Sequence, residues 1–146
     1  MSVILGSAPI VPLTPAEEHG RDAYVPGVCN IGPWEIRRRR AFAIGAFVVA
    51  AVLFAVLVAA GAPALTRLLL VLPLTGGVFS WLQARRRFCA AFAMQRLANF
   101  GEGDGTRRSV QDDEAHRADV AAVRRMARDA VLIALPIALV GVIVPV

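Results

Sequence analysis

The sequence predicts an all-α membrane protein with three transmembrane helices: a helical hairpin, then a C-terminal helix continuing from a cytoplasmic helix. Three observations lead there. The chain of 146 residues is 57% hydrophobic, and its apolar residues form long blocks instead of alternating with polar ones as a soluble core requires. Residues 41–66, 68–84 and 130–146 carry no formal charge. All sixteen basic residues are arginine, and most of them crowd one end of each block.

Residues 1–36 read as an extended, Pro-rich cytoplasmic arm ending in an interfacial turn. Pro9, Pro12, Pro15 and Pro26 prevent a long helix there. The apolar runs Val3-Ile4-Leu5 and Ile10-Val11-Pro12-Leu13 suit a segment ordered by lying on a partner. Pro33 fits the first turn of a helix, and Trp34 is an interfacial aromatic.

Residues 37–100 read as a transmembrane hairpin with an interfacial extension. Arg37, Arg38, Arg39 and Arg40 mark its first edge, and the 26 uncharged residues 41–66 exceed the roughly 20 needed to cross a bilayer. Helix one is therefore expected over 41–61, with a turn at Gly61-Ala62-Pro63-Ala64. Helix two returns over 65–83, with Arg67 at its outer end and Trp81 at the inner interface. Pro73 and Gly76-Gly77 predict a kink in it. Arg85, Arg86 and Arg87 close the hairpin. The apolar stretch 88–100 is expected to extend helix two along the membrane surface.

Residues 101–128 read as a cytoplasmic loop and charged helix, with Ser109 as its N-cap and Val120, Val123 and Ala127 on one stripe. Residues 129–146 form the third transmembrane helix, with Pro136 inside it. Orientation follows from charge. Segments 1–40 and 84–129 hold fifteen of the sixteen arginines, so the positive-inside rule puts the N-terminus in the cytoplasm and the C-terminus outside. The expected location is a bacterial inner (plasma) membrane.

A net charge of +5 raises nucleic acid as a partner. These arginines flank apolar blocks, however, so they are assigned to topology and lipid headgroups, and no nucleic acid is expected. Cys29 and Cys89 are the only cysteines, in no CxxC pattern. Both fall near the cytoplasmic interface, Cys29 before helix one and Cys89 just after helix two; these helices are antiparallel neighbours, so a thiol or metal site is one reading, with His19 or His116 as extra ligands. Two packed thiols in a reducing compartment are the other reading. Asp112, Asp113, Glu114 and His116 point around one helix and form a solvated face, while Glu35 suits pairing with Arg38 or Arg39. The helix cores contain no ionisable residue, which argues against a transporter acting alone.

The segment Cys29-Asn30-Ile31-Gly32-Pro33-Trp34-Glu35-Ile36 resembles one found before the first helix of small uncharacterised bacterial multi-pass membrane proteins. The resemblance runs from Cys29 to about Val146 and implies that Cys29, Asn30, Gly32 and Pro33 form a structured interfacial turn. It implies no activity.

Small residues on the helices (Ala41, Gly45, Ala46, Ala50, Gly76, Gly77, Gly141) allow close helix approach in lipid. With no nucleophile–base or carboxylate pair to place, the chain is not expected to be an enzyme. The leading expectation is a non-catalytic accessory subunit of a larger inner-membrane complex, contacting membrane lipids and other integral membrane subunits. A homo-oligomeric scaffold or pore is the alternative, and a thiol or metal site at Cys29 and Cys89 is a third. No cofactor is legible.

Overall fold

The computed structural model describes residues 10–12, 24–101 and 107–144. The chain is a helical membrane protein in which three helices are long and apolar enough to cross a bilayer. Strand β1 is Ile10–Pro12, and helix α1 runs Pro33–Ala59. A 3-10 segment, Ala64–Leu70, leads into α2, Val71–Arg85. Helix α3 (Ala90–Met94), strands β2 (Leu97–Ala98) and β3 (Arg107–Ser109), and the long α4 (Asp113–Ile143) follow.

The chain divides into two compact units. One, called the head here, combines Met1–Ile36 with Arg86–Val123; the other, the membrane unit, combines Arg37–Arg85 with Arg124–Val146. Segment 86–100 therefore groups with the head and not with the hairpin. The expected surface extension of helix two is corrected: α2 stops at Arg85, and Phe88, Phe92 and Ala93 are buried. Arg87 adopts a left-handed backbone at φ 54 just past α2. That conformation accompanies the end of the helix, and Phe88 and Phe92 are buried in the head, Phe92 against Ile31, Cys89 and Leu97.

The head contains a small sheet in the order β1-β3-β2. β1 pairs parallel with β3, Ile10 opposite Arg107 and Pro12 opposite Ser109. β2 pairs antiparallel with β3. The part of the arm expected on a partner thus pairs, over these three residues, with its own chain. The rest of the arm up to residue 23, including Val3, Ile4, Leu5 and His19, lies outside the described residues.

In the membrane unit, Pro73 is the third residue of α2, close behind the 3-10 segment that leads into it. The α-helix runs from Val71 through Gly76-Gly77 to Arg85, and the change from 3-10 to α geometry falls at Leu70–Val71, just before Pro73. Close approach to α1 occurs at Gly77: a Cβ there would lie 2.7 Å from the Phe47 ring. Gly76 and Gly45 face open space.

Arg67, expected to anchor the outer end, is buried at 7% exposure. Its Nη1 donates to the carbonyls of Gly141 (3.1 Å) and Val144 (2.9 Å), and the guanidinium stands 5.9 Å from the Phe54 ring centroid. The last carbonyls of a helix have no intrahelical donors. A cation among them satisfies the acceptors and complements the helix dipole.

α4 is a single helix, as the charged-helix-into-apolar-block pattern predicts, with Pro136 inside it. Its N-cap is Asp112, not Ser109: the Asp112 carboxylate accepts from the N–H groups of Glu114 (3.0 Å) and Ala115 (3.4 Å). Ser109 is instead in β3. The buried face of α4 also differs from the expected Val120-Val123-Ala127 stripe. It is Ala115, Asp119 and Ala122 in the head, then Met126, Ala130, Ala134 and Ala138 in the membrane unit. Alanine every four residues lets backbones approach closely where lipid supplies no hydrophobic drive.

Candidate functional site

The segment 29–33 is the centre of the head, and each residue of it has a separate task. Val25 and Cys29 exchange two backbone hydrogen bonds at 2.9 Å, closing a turn in which Gly27 is left-handed at φ 69. The Asn30 side chain pairs with the backbone of Cys89 as a strand neighbour would. Its Nδ2 donates to the Cys89 carbonyl (3.0 Å), and its Oδ1 accepts from the Cys89 N–H (2.6 Å). The backbone N–H groups of Asn30 and Ile31 both donate to the Arg87 carbonyl, at 3.1 and 3.3 Å. The left-handed turn at Arg87 thus supplies the acceptor for two buried donors.

Ile31 is fully buried, clustered with Cys89, Phe92 and Leu97. Asn99 ties the other side: its N–H donates to the Asn30 carbonyl (2.9 Å), and its carbonyl accepts from the Gly32 N–H (2.8 Å). A Cβ on Gly32 would stand 2.8 Å from the Phe100 carbonyl oxygen, so only glycine lets these two backbones meet. The Gly32 carbonyl accepts from Ile36 N–H (3.2 Å), and Pro33 opens α1. The Asn30 side chain saves the Cys89 backbone groups from being orphaned, and Asn99 Oδ1 accepts from the Gly101 N–H (3.1 Å).

A second cluster fixes the preceding turn. Asp119 is fully buried; its carboxylate accepts from the Tyr24 hydroxyl (2.9 Å) and the Gly27 N–H (2.6 Å). Burial pushes the Asp119 carboxyl above its ordinary value of 3.8 and outweighs both hydrogen bonds, which act the other way. Burial, with the hydrogen bond to Asp119, drives the Tyr24 phenol well above 10.0. The sequence reading missed this carboxylate. Its signal was an acid on the four-residue spacing of small residues along α4.

Cys29 and Cys89, the expected thiol pair, are both in the head, both buried, and neither forms a disulfide. Cys29 Sγ lies 4.0 Å from the Ile31 carbonyl, while Cys89 belongs to the Ile31 cluster. Among the described residues, no group of three or more His, Cys, Asp or Glu is arranged to hold a metal. His116 is half-buried on α4. Asp113 makes an exposed ion pair with Arg96 (2.7 Å), which lowers its carboxyl pKa. Glu35 is buried, with 3% exposure.

Trp34 is half-buried at the start of α1, in the head. Arg37, Arg38, Arg39 and Arg40 are all helical in α1, whereas Arg85 ends α2, and Arg86 and Arg87 lie beyond it. Within the membrane unit, one cleft brings together Arg40, Trp81, Ala84 and Arg85. No protein-family model, curated protein or solved structure matches this chain, so the site rests on its own geometry.

Proposed function

We propose that this chain is a non-catalytic accessory subunit of a larger bacterial inner-membrane complex, packing on partner transmembrane helices. One observation carries the reading: the uncovered face of α1 carries a stripe of small and β-branched residues. Ala41, Gly45, Val48 and Val52 follow one another at helical spacing, all exposed. A Cβ on Gly45 meets nothing within 4 Å, and only 11% of the apolar window of α1 is buried by this chain. Lipid contact alone asks for bulk and hydrophobicity; a small-residue face permits a second helix to come close.

The test is purification of the tagged chain in mild detergent, as wild type and as Gly45→Ile. Stoichiometric foreign chains should co-purify with the wild type. Gly45→Ile should lose them while keeping its own thermal stability, because among the described residues nothing lies within 4 Å of a Cβ at that position. A wild-type monomer would remove the proposal. A ladder of crosslinked copies with no foreign chain would assign the same face to self-assembly, making the protein a scaffold or pore.

A further inference from the structure

We infer that Arg40, Trp81 and Arg85 form a seat for the phosphodiester headgroup of an anionic phospholipid. The cleft they line together with Ala84 has a volume of about 240 Å³ and lies wholly within the hairpin.

Four observations converge on that occupant. Arg40 is the last charged residue before the uncharged block 41–66, and Arg85 is the first after the uncharged block 68–84. Both guanidinium groups thus stand where hydrocarbon gives way to headgroups, the depth of lipid phosphate. Next, the cleft selects among the arginines. Arg38, Arg39, Arg86 and Arg87 already interact with other groups, while among the described residues neither Arg40 nor Arg85 has a hydrogen-bond or ion-pair partner. Two cations that line one cleft without an ion-pair partner among the described residues repel each other, and an anion between them offsets that repulsion. Trp81 is 45% exposed and adds an indole N–H without a partner among the described residues. Finally, Ala84 is buried at 3% exposure, so the cleft has a small, apolar floor. Planar guanidinium forks match phosphate oxygens bidentately, and an interfacial indole accommodates the glycerol end.

The depth of the cleft favours a lipid over free phosphate, and the experiment separates them. Trp34→Phe leaves Trp81 as the sole tryptophan of a chain that has two. In that background, the delipidated full-length protein in neutral detergent is titrated with phosphatidylglycerol, phosphatidylcholine and inorganic phosphate while Trp81 emission is read. Phosphatidylglycerol should give a saturable change. Its apparent Kd should rise at least ten-fold in Arg40→Gln/Arg85→Gln and stay within two-fold in Arg37→Gln/Arg124→Gln, which removes equal charge outside the cleft. Arg40→Lys/Arg85→Lys keeps the charge without the forks and should fall between; it also carries the comparison should the glutamine pair fail to fold. Equal weakening in the control pair would overturn the inference in favour of diffuse charge. Equal saturation by phosphatidylcholine, or by inorganic phosphate alone, would overturn it in favour of a site blind to headgroup charge or a free-anion site.

Discussion

Asp119 illustrates how much one side chain can fix. It is a carboxylate with no exposed surface, held by the Tyr24 hydroxyl and the Gly27 N–H across more than ninety positions of sequence. Its pKa is raised from 3.8 chiefly by burial, so in the pH interval between the unfolded and folded pKa values the folded head keeps this proton more readily than the unfolded chain does. Folding then takes up a proton in the window above 3.8, and stability from this group falls as pH climbs through that window and is flat above it. Asp113 has the opposite sign, lowered mainly by its hydrogen bond to Arg96, and loses its contribution as pH falls. Comparing wild type with Asp119→Asn isolates the first effect because the Arg96 pair is common to both. Hydrogen exchange of the Gly27 amide between pH 4 and 7 should show wild-type protection weakening, relative to the variant, as pH rises. A difference that does not change with pH would refute the account.

At the scale of elements, adjacent glycines on α2 make a controlled comparison. A methyl group on Gly77 would come within 2.7 Å of the Phe47 ring, whereas one on Gly76 would meet nothing within 4 Å. Gly77→Ala should destabilise the membrane unit by about 1–3 kcal/mol, the usual range for overpacking. Gly76→Ala should be neutral or mildly stabilising, since alanine restricts the unfolded helix more than glycine does. Denaturation in mixed micelles would measure both, and equal effects would rule out the packing described. Arg67 belongs to the same scale. A charge at an apolar helix end is costly unless it finds acceptors, and the terminal carbonyls of α4 supply them at Gly141 and Val144.

For the whole molecule, the two units have different construction rules. The membrane unit relies on small-residue contact, with Ala130, Ala134 and Ala138 fully buried. The head relies on hydrogen bonds that saturate buried backbone, through Asn30, Asn99 and Asp119. Because segments 1–40 and 84–129 hold fifteen of the sixteen arginines, we expect the head in the cytoplasm and the C-terminus outside. A C-terminal alkaline phosphatase fusion should be active and an N-terminal one inactive. The reverse pattern would invert the topology.

The three spans were legible from sequence because uncharged length is a local property: a run such as 41–66 cannot be exposed to water wherever its neighbours lie. The continuity of α4 and the place of Pro33 were legible for the same reason, both being questions of neighbouring residues. The fate of 88–100 was not. Its apolar residues suit a lipid surface or a protein interior equally well, and only the turn at Arg87 and the pairing of Asn30 with Cys89 decide between them. Likewise Gly32, Asp119 and Arg67 owe their roles to groups far away along the chain: Phe100, Tyr24 with Gly27, and the end of α4. Sequence by itself determined what must leave water, because that is set by composition along the chain. Tertiary structure alone decided which polar groups meet, because a buried hydrogen bond needs both partners in place before either has a reason to be there.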